Sequence, residues 1–101
     1  MTLQEELNQV RLKNFMDHEE EFTFSEFLRG LRKIKGLSRR SLADHMGITE
    51  MKLYYLEEGK FARMPEIGLL SNMSDYFGIP VKILRGKAKN YVESLQTKKT
   101  S

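Results

Sequence analysis

The sequence predicts a small all-α protein in which short helices share one core. Its 101 residues fit a single domain, and its 40% hydrophobic and 31% charged residues are typical of a globular chain with a modest core. No segment shows the two-residue alternation of apolar and polar side chains that a half-buried strand has. Helix-capping residues and glycines instead divide the chain into short segments with helical periodicity.

The first predicted helix spans residues 3–15 and belongs to an acidic N-terminal arm, residues 1–22. Thr2 followed by Glu5 is a capping box, in which each side chain satisfies a backbone N–H at the helix start. One face then carries Leu3, Leu7 and Val10. This face is expected to fold back on the body, to pair with a second copy or to bind a partner protein. A charged break follows at residues 18–21.

The second predicted helix spans residues 24–35. Thr23 with Glu26 forms its capping box, and Gly36 ends it. Its periodicity directs five apolar side chains inward: Phe24, Phe27, Leu28, Leu31 and Ile34.

Two shorter helices are predicted over residues 39–46 and 50–58. Ser38 and Thr49 are their N-caps, and Gly47 lies in the turn that joins them. Their inward side chains are Leu42, Ala43, Met46, Leu53 and Leu56. Because Ala43 is small, the second helix can approach the first closely. Two short helices at a fixed crossing are the physical description of a helix-turn-helix.

The remaining helices are each introduced by a proline. Pro65 is expected in the first turn of a helix over 65–77, which buries Ile67, Leu69 or Leu70, Met73 and Phe77. Pro80 opens a last segment, whose extension over residues 87–101 is expected to fray from Thr97. The extension carries an apolar stripe, Tyr91, Val92 and Leu95, which is either part of the core or a second dimer contact.

Composition excludes several classes of protein. The absence of cysteine excludes disulfide scaffolds, zinc fingers and thiol catalysis. Apolar runs reach only about four residues, so no membrane span is expected, and the acidic N-terminus does not resemble a secretory signal. A cytoplasmic protein is therefore expected. No residues are spaced as a nucleophile with its base, so no enzyme is predicted. The chain has two histidines and no cysteine, which are too few ligands for a typical metal site, and no cofactor is predicted either.

Charge is distributed unevenly along the chain. Residues 1–22 carry two basic and six acidic side chains, a net charge of −4. Residues 23–101 carry fifteen basic and eight acidic side chains, a net charge of +7. A basic body of this size favours a polyanionic partner.

Residues 38–59, SRRSLADHMGITEMKLYYLEEG, resemble the helix-turn-helix of the lambda-type repressors and Cro proteins. The matching positions are Leu37, Ser38, Leu42, Ala43, Met46, Gly47, Ile48, Thr49, Leu53, Leu56, Glu57 and Gly59. The upstream run Leu28–Leu37 resembles the first helix of that family, the downstream run Ile67–Pro80 resembles its fourth, and Ile83 with Leu84 resembles the start of its fifth. The resemblance therefore covers roughly residues 24–85. It implies a compact five-helix DNA-binding domain over 23–86, to which this chain adds an N-terminal helix. It also implies that the helix over 50–58 enters the major groove of DNA.

The resemblance implies two sets of DNA-binding residues. Base readout is expected from Thr49, Glu50, Met51, Lys52 and Tyr55. Phosphate contact is expected from Ser38, Arg39, Arg40, Tyr54, Lys60 and Arg63. The chain departs from the family at Arg39, where a glutamine is usual, and in its glutamate and paired tyrosines on the recognition helix.

The expected function is that of a sequence-specific transcriptional regulator, a repressor that binds double-stranded DNA. It is expected to be a homodimer whose two copies associate through the N-terminal or the C-terminal helix. The alternative is a protein-interaction module, an antitoxin or adaptor, that keeps the fold with weak or no DNA binding. Glu50, the two tyrosines and the acidic arm favour the alternative. The four basic residues expected to clamp phosphates, Arg39, Arg40, Lys60 and Arg63, favour DNA.

Overall fold

A computed structural model describes residues 2–99. Within this range the chain folds into six α-helices without a strand, which confirms the all-α prediction. The helices are α1 (Leu3–Asp17), α2 (Phe24–Ile34), α3 (Arg39–Met46), α4 (Glu50–Glu57), α5 (Ile67–Phe77) and α6 (Val81–Lys99). A 3₁₀ turn, Glu19–Glu21, lies between α1 and α2. None of the helices described is both long and apolar enough to cross a membrane.

The predicted N-caps are present at the first four helices. Both capping boxes, at Thr2 and at Thr23, are complete. The hydroxyls of Ser38 and Thr49 each accept a hydrogen bond from the backbone N–H three residues later, at 3.1 and 3.0 Å. These bonds satisfy donors that a helix leaves free in its first turn, so local sequence determines where these helices begin.

α2 lies at the centre of the bundle, where it packs against α1, α4 and α6. α3 packs against α4 and α5, and α5 packs against α6. On α2, four predicted core residues are at most 1% exposed, whereas Ile34 is only half-buried. The other buried apolar residues of the core cluster are Leu42, Ala43, Met46, Leu53, Leu56, Leu69, Leu70, Met73, Phe77, Ile79, Leu84 and Ala88. Their burial supplies the main favourable free energy of folding.

The predicted start of α5 is wrong. The helix begins at Ile67, with Glu66 as its N-cap residue, so Pro65 lies outside the first turn. Ile67 is 62% exposed rather than buried. The reason is helical periodicity: both Leu69 and Leu70 turn inward, and a residue two positions before Leu69 then lies on the opposite face.

α6 extends further than predicted and is part of the core. α6 is helical through Lys99, so the fraying that is expected from Thr97 is not observed up to that residue. Residues 100 and 101 lie outside the described range. The Tyr91 ring packs on Phe61 at a centroid distance of 4.6 Å, and its hydroxyl donates to the Gly59 carbonyl. Val92 is buried and Leu95 half-buried. Tyr91 and Val92 therefore extend the core of their own chain.

α1 packs on the body through a face that the sequence does not single out. The side chains that contact the core are Leu12, Phe15 and Met16. The predicted stripe lies on the other side of the helix, where Leu3, Leu7 and Val10 are 73%, 46% and 57% exposed. The expectation that this stripe could fold back on the body is therefore wrong.

Two side chains, Phe15 and Lys87, hold the acidic arm in place. The Phe15 ring stacks between Phe22 and Phe27, at centroid distances of 4.7 and 5.4 Å. Lys87 on α6 donates to the main-chain carbonyls of Glu19 and Phe22, and its ammonium lies 3.1 Å from the Glu19 carboxylate. Residues 2–22 therefore share the core of the rest of the protein.

Phe15 fits against α2 because residue 30 lacks a side chain. A Cβ atom at Gly30 would overlap the Phe15 ring. We expect Gly30→Ala to destabilise the protein, because overpacking costs about 1–3 kcal/mol and alanine recovers at most about 1 kcal/mol of helix propensity. Gly86 on α6 is the control, since a Cβ there meets nothing within 4 Å. Gly86→Ala should stabilise by about 0.5–1 kcal/mol. Urea unfolding followed by circular dichroism measures the free energy of unfolding of both variants. Equal changes in that free energy would contradict the packing of Phe15 against residue 30.

Candidate nucleic-acid interface

α3 and α4 form a unit joined by a three-residue turn, residues 47–49. Gly47 ends α3 in the left-handed region, at φ 69° and ψ 31°, where a side chain would be strained. The N–H of Ile48 then donates to the carbonyl of Ala43 at 3.0 Å, which closes the helix end. Ala43 is 1% exposed and packs within the core. Local sequence thus fixes how the chain leaves α3 and enters α4.

A buried ion pair connects α4 to α2. The Glu57 carboxylate is fully buried and accepts two hydrogen bonds from Arg32, at 2.7 Å from Nε and 3.0 Å from Nη2. Arg32 also donates from Nη1 to the carbonyl of Leu37, at 2.9 Å. This bidentate geometry is the strongest form of an arginine–carboxylate contact. The C-terminal end of α4 is therefore held in one position on α2.

A second buried contact acts at the same end of α4. The Ser25 hydroxyl donates to the Leu56 carbonyl at 2.7 Å, across 31 residues of sequence. No buried side-chain nitrogen or oxygen in the described part of the chain lacks a hydrogen-bond partner. The polar groups of this interface are thus satisfied, as a stable helix–helix contact requires.

The opposite face of α4 is open. Leu53, Leu56 and Glu57 occupy the buried face, whereas Met51 and Tyr55 lie one turn apart on the outer face and are 59% and 44% exposed. Among the residues expected to read bases, four are exposed: Thr49, Glu50, Met51 and Tyr55. The Thr49 hydroxyl also serves as the helix cap.

Lys52, the fifth residue expected to read bases, has a partner within the chain. Its ammonium lies 3.0 and 3.1 Å from the two carboxylate oxygens of Glu66, the N-cap residue of α5. The Lys52 and Glu66 side chains are 42% and 72% exposed, and ion pairs exposed in this way contribute only about 0–1 kcal/mol. Lys52 can therefore leave Glu66 for an anionic partner at small cost.

Three residues expected to contact phosphate come together around one aromatic ring. The Arg39 guanidinium carbon lies 5.1 Å from the centre of the Tyr54 ring, and the Lys60 ammonium lies 5.3 Å from it. Lys60 also lies 3.4 Å from the Tyr54 hydroxyl. Cations from the start of α3 and from the segment after α4 thus lie on one surface beside the open face of α4.

Arg39 has a second contact that the sequence does not indicate. Its Nε lies 3.4 Å from the Glu57 carboxylate, so two guanidinium groups share one buried carboxylate. This cluster of Arg32, Arg39 and Glu57 has a net charge of +1. Arg39 therefore adds to the basic surface and supports the anchor of α4 at the same time.

The other residues expected to contact phosphate are exposed: Ser38, Arg40 and Arg63. Neither arginine forms an ion pair with another residue in the described range. The open face of α4, with its basic border, is called the α4 surface below. It consists of Thr49, Glu50, Met51, Lys52, Tyr54 and Tyr55, bordered by Ser38, Arg39, Arg40, Lys60 and Arg63.

Sequence reasoning missed the anchor beneath this surface. Arg32 and Glu57 each occupy an inward position of an amphipathic helix, four residues after Leu28 and Leu53. Opposite charges at two such positions are the one signal that could have indicated the pair.

Comparisons with models of known protein families, with curated proteins and with solved structures found no match. The geometry and charge of the α4 surface therefore provide the basis for assigning its function.

Proposed function

We propose that this chain is a sequence-specific DNA-binding transcriptional regulator in which α3 and α4 form a helix-turn-helix of the lambda repressor and Cro type. One observation carries the proposal. α4 is fixed to the body by its buried face and by the Arg32–Glu57 pair, while its outer face is open and bordered by cations. A rigid helix with an open face is what insertion into the major groove requires, because that groove, about 12 Å wide, admits one α-helix.

The border residues contact the DNA backbone in this proposal. Arg39, Arg40, Lys60 and Arg63 neutralise phosphates, and the Ser38 and Tyr54 hydroxyls add hydrogen bonds. Such contacts supply affinity that falls as salt rises, because they release counterions from the DNA. They also fix the orientation of α4 in the groove without reading sequence.

The outer residues of α4 read the bases in this proposal. Glu50 accepts a hydrogen bond from the amino group of cytosine, and Met51 packs on the methyl group of thymine. Lys52 exchanges Glu66 for a guanine edge, and Thr49 and Tyr55 hydrogen-bond to neighbouring groups. A homodimer of this kind binds a near-palindromic site, with half-sites about 34 Å apart. Occupation of a promoter by such a dimer represses transcription in the cytoplasm.

Selection of bound fragments from the sheared source genome tests the proposal. Salt of about 150 mM suppresses binding that depends on charge alone. Enrichment of a short inverted repeat is the expected result. Weak binding that disappears with salt, without an enriched sequence, would contradict it.

A second candidate function is a protein-interaction module. Met51 and Tyr55 support it, because both expose apolar surface on α4 and such surface is typical of protein interfaces. A module of this kind would give no enriched sequence in the selection. Loss of a protein partner in the Met51→Ala, Tyr55→Ala double variant would then support this function.

A further inference from the structure

α1 carries apolar side chains on two opposite faces. Leu12, Phe15 and Met16 form the inner face, which contacts the core. Leu3, Leu7 and Val10 form the outer face, which remains exposed in the described chain. At 100° per residue the two sets are centred almost half a turn apart. A helix that is apolar on both sides is suited to a position between two partners, and the body supplies only one.

The outer face has the spacing of a coiled-coil seam. Leu3, Leu7, Val10 and Asn14 follow one another at intervals of four, three and four residues, and all four are exposed. This is the alternation of a and d positions in a heptad repeat, by which two helices interlock their side chains. Glu6 and Lys13 lie beside this seam at equivalent positions of successive heptads.

Charge indicates the orientation of the second helix. Along the seam, residues 3–14, the first half carries Glu5 and Glu6, and the second half carries Arg11 and Lys13. An identical helix that runs in the opposite direction brings each acidic half against a basic half. It also opposes the two helix dipoles favourably.

We propose that the outer face of α1 binds the same face of a second copy of this chain, with the two helices antiparallel. Leu7 then packs against Val10 of the partner subunit, and Leu3 lies beside Asn14 of the partner subunit. Glu6 faces Lys13 of the partner subunit, and the two-fold symmetry repeats each contact. The seam spans residues 3–14, about 18 Å at 1.5 Å per residue, so the dimer is small and reversible.

This surface differs from the other apolar stripe considered for a dimer. On α6, Tyr91 contacts Phe61 and Gly59 of its own chain and Val92 is buried. The outer face of α1 has no such contact among the described residues. Self-association through α1 also does not require DNA, so it can fail or hold independently of the proposed regulator function.

Sedimentation equilibrium of the full chain, from micromolar to millimolar concentration at low salt, tests the proposal. A monomer–dimer equilibrium is expected for the wild type, and at least tenfold weaker association for Leu7→Glu. The control is Ile67→Glu, which changes an apolar residue outside α1 that is even more exposed than Leu7 and should leave the equilibrium unchanged. Circular dichroism verifies that each variant is folded. A wild type that stays monomeric, or a Leu7→Glu variant that dimerises like the wild type, overturns the proposal.

Exchange of charges tests the orientation. Glu6→Lys should weaken association, because the introduced lysine then faces Lys13 of the partner subunit at both ends of the seam. Adding Lys13→Glu should restore association, since the pair is then re-formed with its signs reversed. Adding Arg11→Glu instead should not restore it. If Arg11→Glu restored association of the Glu6→Lys variant and Lys13→Glu did not, the antiparallel arrangement would be overturned. Residues 6 and 11 face each other in a parallel coiled coil.

Discussion

Replacing Glu57 by alanine is expected to lower the free energy of unfolding by about 3–5 kcal/mol. Its side chain is fully buried, and Arg32, which it binds, is only 11% exposed. The substitution leaves the Arg32 guanidinium in the core with the Leu37 carbonyl as its remaining partner. A buried charge without its counterion is costly, and a loss of this size is a large part of the stability of a typical domain.

The neighbouring glutamate is the matched control. Glu58 lies 4.0 Å from Arg29, and both side chains are at least one-third exposed. Glu58→Ala should therefore cost less than about 1 kcal/mol. Urea unfolding monitored by circular dichroism measures both variants. Equal stabilities for Glu57→Ala and Glu58→Ala would show that the pair does not anchor α4.

Removing three cations from the border of the α4 surface is expected to give the largest loss of DNA binding. The Arg40→Ala, Lys60→Ala, Arg63→Ala triple variant changes exposed residues and leaves the Arg32–Glu57–Arg39 cluster intact. Each lost phosphate contact lowers the slope of log affinity against log salt by about 0.9. The slope should thus fall by almost 3, and affinity at about 150 mM salt by roughly 10²-fold.

A second triple variant separates local contact from net charge. Lys82→Ala, Arg85→Ala, Lys89→Ala removes three exposed cations from α6 and lowers the net charge equally. Its effect on affinity should be much smaller, because these side chains do not border α4. Fluorescence anisotropy with a labelled duplex at several salt concentrations compares the two. Equal losses would show that the protein attracts DNA by overall charge rather than through the α4 surface.

The sequence predicts the starts of the first four helices well because those signals are local. Thr2, Thr23, Ser38 and Thr49 each bond within four residues of themselves, and all four caps are present. The α3–α4 turn is similarly local, since Gly47 ends one helix and Thr49 begins the next. The prediction of the caps and of the turn therefore required no knowledge of tertiary structure.

The face by which α1 docks could not be read in this way. Its two apolar faces are comparable in sequence, and the choice depends on the space that Gly30 leaves for Phe15. The stack of Phe15 with Phe22 and Phe27 joins three segments of the chain. Periodicity within one helix does not contain that information.

The α4 surface was predictable only in part, because some of its features follow from periodicity within one helix and others depend on contacts between helices. Helical periodicity indicates that Met51 and Tyr55 point outward, because Leu53 and Leu56 point inward. The Lys52–Glu66 pair spans 14 residues and the Arg32–Glu57 pair spans 25. Both depend on how separate helices pack, so charges that appear free in the sequence have partners in the fold.

In the proposed function α4 reads bases, and a comparison of two selections tests this role most directly. Fragments of the source genome are selected with the wild type and with Tyr55→Ala, a change at a side chain 44% exposed on the outer face of α4. We predict that the wild type enriches an inverted repeat and that the variant loses its preference at one position in each half-site, while the flanking positions remain. An unchanged sequence preference, bound with unchanged affinity, would contradict the insertion of α4 into the major groove.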